Sequence, residues 1–162
     1  MKTFIKTIFG ILFLSLVSTD FALAGQTELL LWKRDPFFYG ACGHCADFVS
    51  FDKDENRGDF SSFPYYYQTG YYTINLSGPK GTAVTLFGDK NFSADHGYLT
   101  LIKLDAGPIE IENLEGFEAN SWITRKAGEN DSGAYRAFYH PYPQFKTRIA
   151  SVKWGEIESP SH

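Results

Sequence analysis

The sequence has few cysteines, little net charge and no long apolar run beyond its first residues. Two cysteines in 162 residues are too few for a multi-disulfide scaffold or for a zinc site of paired cysteines. Fifteen basic residues scattered among nineteen acidic ones give a net charge of −4 and no basic patch. We therefore expect neither nucleic acid nor an anionic membrane surface as a partner, and no membrane span.

Motifs that announce an enzyme are also missing. The chain contains no nucleophile elbow, no zincin helix motif and no phosphate-binding loop. Carboxylates are numerous, so a hydrolytic pair of Asp or Glu residues stays open as an interpretation. The sequence favours a protein that is not an enzyme.

The N-terminal segment has the three parts of a secretory signal peptide. Lys2 and Lys6 accompany an apolar run over residues 7–18, and Ala22 and Ala24 are the small residues of a cleavage site. The run is shorter than the ~20 residues that span a bilayer. We predict a signal peptide over residues 1–24 and a secreted or periplasmic protein, with a single β-rich domain over residues 25–162.

The remaining sequence predicts an all-β fold. Aromatic residues make up 17% of the chain and suit half-buried strands, while fifteen Gly and seven Pro divide the chain into short pieces. Such spacing favours an antiparallel β-sandwich with many turns. The best helical window, residues 45–54, is weak. The candidate strands are residues 27–32, 72–76, 82–87, 98–104, 109–112, 120–126, 134–140 and 148–154.

Part of the chain, residues 82–155, resembles a βγ-crystallin-type Greek key domain. The family's hairpin has an aromatic residue, four others, a second aromatic residue, one more and then Gly; Phe87 and Phe92 match, and Ala94 stands at the Gly. Residues 145–154 are similar to the family's closing strand, with Ser151 at its Ser. The resemblance implies a Greek key β-sandwich. The two segments lie further apart than one family motif allows.

The same resemblance bears on calcium. The family's calcium loop has Asp or Asn four and five positions before its final Ser, where this chain has Thr147 and Lys146. We therefore predict that calcium does not bind through the closing strand.

A separate acidic segment resembles a calcium loop more loosely. Alternating oxygen-bearing side chains suit a hard cation, although Gly58 falls one place late for an EF-hand loop. Calcium is one interpretation, and a solvated acidic turn is the other; no other cofactor is expected. The candidate ligands are Asp52, Asp54, Asn56 and Asp59.

Cys42-Gly43-His44-Cys45 resembles the active site of protein disulfide isomerases. A histidine between the cysteines favours the reactive thiolate, which supports a periplasmic thiol–disulfide oxidoreductase as the alternative function. The flanking sequence indicates strands, however, and not a thioredoxin-like helix after the first cysteine. In an oxidising compartment the two cysteines can pair only with each other, in one chain or across two. We predict a structural disulfide between Cys42 and Cys45; metal binding is a third use.

The aromatic run from Phe63 to Tyr67 contains more bulky side chains than one face of a strand can bury. Exposed tyrosines are common binding anchors, so we predict Tyr65, Tyr66 and Tyr67 as binding residues. The alternative is that they cover the core under a loop. Together these features predict a secreted or periplasmic, non-enzymatic binding module for a protein, a glycan or a surface ligand.

Overall fold

The protein folds as two antiparallel β-sheets in a computed structural model, which describes residues 26–34, 47–63, 71–128, 132–145 and 148–157. The all-β prediction is confirmed: within these residues the helical structure is one short 3-10 turn, Lys90–Phe92. In the same part of the chain no helix is long and apolar enough to cross a membrane. The strands are β1 (Glu28–Arg34), β2 (Asp47–Asp52), β3 (Tyr71–Leu76), β4 (Ala83–Phe87), β5 (Tyr98–Lys103), β6 (Ile109–Ile111), β7 (Trp122–Arg125), β8 (Tyr135–His140) and β9 (Ser151–Trp154).

The two sheets are linked through the chain in both directions. The four-stranded sheet has the order β2-β1-β3-β6, and the five-stranded sheet has the order β7-β8-β5-β4-β9. Strand β6 comes from the second half of the chain but pairs with β3. In the other direction, Arg57, just after β2, forms an isolated bridge to Val152 in β9. The two sheets therefore depend on each other, because one contains a strand from the opposite half and the other is bridged by a residue from it.

The pair β7 and β8 extends the five-stranded sheet. Strand β8 pairs with β5, and β7 pairs with β8 at the edge of the sheet. These two strands lie between β6 and β9 along the chain. They account for the wide separation of the two segments that resemble the Greek key family.

The core lies between the sheets and follows the two-residue period of the strands. Along β5, Leu99 and Leu101 face inward, and along β1, Leu29 and Leu31 do the same; all four are fully buried. Phe60, in the loop after β2, stacks on another core ring, Phe51, with ring centroids 5.4 Å apart. The core therefore combines aliphatic strand residues with an aromatic cluster under one loop.

The weak helical window is wrong where it can be compared, because residues 47–52 form β2. Phe51 faces the core and Val49 packs against it, while Phe48 and Ser50 are exposed. This alternation is the strand period. The strand was not recognised in the sequence because both of its ends, Asp47 and Asp52, are polar residues typical of loops.

The hairpin between β4 and β5 differs from the expected backbone. The left-handed positions lie at Asn91, Phe92 and Gly97, with φ of 54°, 61° and 79°, and Ala94 is not among them. A Cβ on Gly97 would lie 2.9 Å from the carbonyl oxygen of His140. Gly97, three residues after Ala94, is therefore the position in this hairpin where both the backbone and the close approach require glycine.

Candidate ligand-binding face

The outer face of the five-stranded sheet carries a continuous series of aromatic rings. Strand alternation turns Phe138 and His140 of β8 outward, and register places Phe138 beside Trp122 of β7 and His140 beside Tyr98 of β5. Phe87, at the end of β4, faces outward next to Tyr98. We call the following residues the aromatic row: Trp122, Phe138, Tyr98, His140, Phe87 and Phe92.

The rings of the aromatic row form one contact network, in which Tyr98 contacts Phe138, His140 and Phe87. The ring centroids of Trp122 and Phe138 are 5.5 Å apart, those of Phe138 and Tyr98 are 5.8 Å apart, and those of Tyr98 and His140 are 5.3 Å apart. The last two pairs are stacked, with interplanar angles of 19° and 24°. These spacings are those of favourable aromatic pairs, so the rings hold one another in place.

The rings of the aromatic row are only partly accessible. Trp122, Phe138, His140 and Phe92 are half-buried, whereas Tyr98 is 3% and Phe87 1% exposed. By comparison, Phe48 on the outer side of the other sheet is 55% exposed. The accessible part of the row is therefore its four half-buried rings, and none of them protrudes as Phe48 does.

The charge on this face differs from that of the protein as a whole. The guanidinium of Arg136 lies 4.4 Å from the Trp122 ring centroid, and Nζ of Lys153 lies 5.9 Å from that of Phe92. The described outward positions of the five strands include no Asp or Glu, in a chain of net charge −4. The outward strand residues that do not belong to the aromatic row are Ala83, Thr85, Thr100, Ile102, Thr124, Arg136, Ser151 and Lys153.

The outer side of the four-stranded sheet is different. Its strands turn Glu28, Asp52 and Glu110 outward, opposite in direction to the buried Leu29, Phe51 and Ile109. A ligand with negative charge is therefore favoured at the five-stranded sheet and disfavoured at the other.

Two polar groups lie within the aromatic row. The hydroxyl of Tyr98 is buried and finds no hydrogen-bond partner in the described part of the chain. Burial raises the pKa of this hydroxyl, so it remains a donor at neutral pH. Nδ1 of His140 lies 2.6 Å from Oδ1 of Asn120, which fixes the plane of the imidazole.

A second polar cluster holds the β4–β5 hairpin and has no sign of catalytic assembly. Nδ1 of His96 lies 2.7 Å from Oδ2 of Asp89, and the His96 ring meets Tyr142 edge-on. A hydrogen bond from the Lys90 N–H, followed by the one to His96, lowers the pKa of Asp89. The nearby hydroxyl of Ser151 is already engaged, donating to the Asp89 carbonyl and accepting from the Phe92 N–H. We interpret the cluster as a structural clasp.

The four residues of the acidic segment are not brought together around one point. Asn56 Oδ1 accepts from the backbone N–H of Trp154 at 2.7 Å, and Asp59 Oδ2 lies 3.1 Å from Nζ of Lys90. Asp52 Oδ1 accepts from the Gln26 side chain. No group of three or more His, Cys, Asp or Glu residues within the described ranges is placed to hold a metal ion. Calcium binding by Asp52, Asp54, Asn56 and Asp59 therefore remains only a prediction.

Other predicted site residues lie outside the described part of the chain. These are the two cysteines, the three predicted binding tyrosines and the two residues of the closing strand where the family has calcium ligands. The signal peptide lies there as well. All these interpretations stay predictions. The residues that they concern are Cys42, Cys45, Tyr65, Tyr66, Tyr67, Lys146 and Thr147.

Sequence reasoning missed the aromatic row. The candidate strands 98–104, 120–126 and 134–140 contain Tyr98, Trp122, Phe138 and His140, and alternation places Phe138 and His140 on one side of their strand. Their meeting depends on which strands pair and in which register, and neither follows from a single sequence.

Comparison with protein-family models, with curated proteins and with solved structures found no match to this chain.

Proposed function

We propose that this chain is a secreted or periplasmic, non-enzymatic binding module that binds an acidic glycan on the outer face of its five-stranded sheet. The observation that carries the proposal is the aromatic row, which Arg136 and Lys153 flank on a face without outward carboxylates.

The chemistry of this face suits a chain of carboxylated sugars. Sugar rings present C–H groups on their faces, which pack on aromatic rings such as those of Trp122 and Phe138. A guanidinium binds a carboxylate through two parallel hydrogen bonds, and Arg136 lies directly beside these rings. The ligand's ring and its charge are thus both accommodated within one short stretch of the sheet.

The shape of the face favours a glycan over a protein partner. Protein interfaces are anchored by side chains that enter pockets on the partner, and they bury apolar patches. The rings here are half-buried or buried, so they offer little protruding apolar surface. Half-buried aromatic rings with basic flanks are better matched by a flexible, charged polymer of pyranose rings.

We also propose that the sandwich is of the βγ-crystallin type. Ser151 supports this, because its hydroxyl joins the two segments on which the resemblance rests. It bonds to Asp89 and Phe92 of the hairpin from the first position of β9. Binding of the glycan does not depend on this relationship.

Affinity measurements with matched polymers test the glycan proposal. Isothermal titration of the purified protein with polygalacturonate oligomers should show binding that weakens with added salt, and neutral galactan oligomers should bind much more weakly. Trp122→Ala should reduce the affinity for polygalacturonate about tenfold or more, and Arg136→Gln should reduce both the affinity and its salt dependence. The unfolding transition of each variant shows that it remains folded.

Phe48→Ala is the matched control, since it removes a more exposed ring from the other sheet. It should leave the affinity unchanged. Equal binding of galactan and polygalacturonate, or equal affinity loss in Phe48→Ala and Trp122→Ala, would contradict the proposal. The proposal would also be contradicted if the protein binds no glycan but binds a protein partner, and if Trp122→Ala abolishes that protein binding.

A further inference from the structure

A cavity of about 360 Å³ opens at one end of the sandwich, away from the aromatic row. Two turns and two strand ends form its wall: the turn after β2, the turn between β3 and β4, the start of β1 and the end of β9. Its volume is within the range of sites for small organic ligands. The residues that define it chemically are Lys53, Asp54, Lys80, Thr82 and Trp154.

The cavity carries an excess of positive charge. Lys53 and Lys80 both line it, and neither forms an ion pair with another residue in the described ranges. Among the described lining residues, the one carboxylate is that of Asp54. Two ammonium groups against one carboxylate favour an anionic occupant.

Trp154 gives the cavity both an apolar wall and an unused donor. The residue is 9% exposed, and its Nε1–H is buried with no acceptor among the described residues. Its backbone N–H is engaged by Asn56 Oδ1, so the main chain at this position is fixed while the indole donor is not satisfied. Buried donors without an acceptor are uncommon in folded proteins.

Two exposed glycines line the rim of the cavity. Gly81 and Gly155 have φ of 88° and 100°, a backbone conformation that glycine adopts readily, and a Cβ on either would meet no atom within 4 Å. Pro79 and Ala83 add apolar surface next to it.

We propose that this cavity binds a small organic carboxylate about the size of one sugar ring. Lys53 and Lys80 bind the carboxylate, and the ring lies against Pro79, Ala83 and the indole of Trp154. A ligand oxygen supplies the acceptor that Nε1–H lacks among the described residues. This site is separate from the aromatic row and does not depend on the proposed glycan binding.

Indole N–H signals in a ¹⁵N–¹H spectrum test the proposal directly. The chain has three tryptophans, and Trp154→Phe assigns the signal of Trp154. Titration of the full chain with D-glucuronate should shift that signal saturably, while D-glucose and inorganic phosphate should not. Trp122, in the aromatic row, reports on the other face in the same spectrum, so the two proposals succeed or fail separately.

Charge variants complete the test. The double variant Lys53→Gln/Lys80→Gln should weaken glucuronate binding at the Trp154 signal about tenfold or more. Lys126→Gln, which removes an exposed lysine just after β7, should leave it unchanged. The proposal is overturned if glucuronate gives no saturable shift of Trp154, if glucose or phosphate gives the same shift, or if the double variant binds as tightly as the unaltered protein.

Discussion

At the scale of single residues, one hydroxyl joins two distant parts of the chain. Ser151 is fully buried, and its Oγ–H donates to the carbonyl of Asp89 at 2.6 Å while Oγ accepts from the N–H of Phe92 at 3.1 Å. Both partners belong to the β4–β5 hairpin, whose backbone enters the left-handed region at Asn91 and Phe92. The hydroxyl therefore stabilises a hairpin conformation that its own residues disfavour.

Replacement of Ser151 by alanine should destabilise the protein by about 1–3 kcal/mol, because it leaves two backbone groups without their partner. Ser93→Ala is the control, since the Ser93 hydroxyl bonds to the exposed Asp95 in the same hairpin; it should cost no more than about 0.5 kcal/mol. Urea unfolding measures both. Equal losses in the two variants would refute the role assigned to Ser151.

The contribution of the Asp89 cluster to stability should be measurable as a loss of stability in acid. The N–H of Lys90 and the ring of His96 lower the pKa of Asp89 in the folded protein below its usual value of 3.8. The stabilisation is therefore complete above that value and is lost as the pH falls through the lower, folded pKa. Between neutral pH and this acid range, Asp89→Asn should lose less stability than the unaltered protein. Parallel pH profiles from thermal unfolding would contradict this.

At the scale of strands, a lysine occupies a core position. Lys103 follows Leu99 and Leu101 on the inward side of β5 and is fully buried. Its Nζ donates to the carbonyl of Leu76, on β3 of the opposite sheet, at 3.5 Å and also to the carbonyl of Gly107. The side chain thus connects the two sheets, and its burial lowers the pKa of the ammonium group.

The pH dependence of stability should reveal Lys103. Its pKa in the folded protein lies below the usual 10.5, so between those values the unfolded chain binds more protons. The free energy of unfolding should therefore rise with pH across that window relative to Lys103→Met, which has no titrating group there. Urea unfolding at a series of alkaline pH values measures the difference. A difference that does not change with pH would show that burial does not shift this pKa.

The strands illustrate what a sequence can predict. The alternation of Ile109 and Ile111 with glutamates predicted β6, because one side of a half-buried strand must be apolar. Lys103 could not be recognised as a core residue, since its partners are carbonyls of Leu76 and Gly107 in other elements. The aromatic row was not predicted for the same reason. Local patterns predict which side of a strand a residue faces, but contacts between strands depend on the pairing register.

At the scale of the whole molecule, the two halves of the chain are interdependent. Strand β6, from the second half, joins the four-stranded sheet, and Arg57, from the first half, bridges to β9 of the other sheet. The inward faces of both sheets share one cluster of buried residues. The outer faces are free to differ, and they do so in charge and in exposed rings. This division allows the outer side of the five-stranded sheet to carry aromatic and basic residues while the core between the sheets stays apolar.

The two cysteines test the export prediction and the alternative function together. We expect Cys42 and Cys45 to be disulfide-bonded in the exported protein, which should begin at Gly25. Replacement of both by serine should cost at most about 2–3 kcal/mol and preserve glycan binding. The purified protein should not reduce insulin. Turnover that disappears in Cys42→Ser would instead establish the thiol–disulfide function.

Mapping the glycan onto the folded protein tests the central claim most directly. Backbone amide shifts of the ¹⁵N-labelled protein, followed during titration with polygalacturonate oligomers, should change most in β7, β8 and β5 around Trp122, Phe138 and His140. Trp32 and Phe48, whose rings lie 5.0 Å apart on the other sheet, should change little. Shifts centred on Trp32 and Phe48, or no saturable shifts at all, would contradict the proposal that the aromatic row binds acidic glycans.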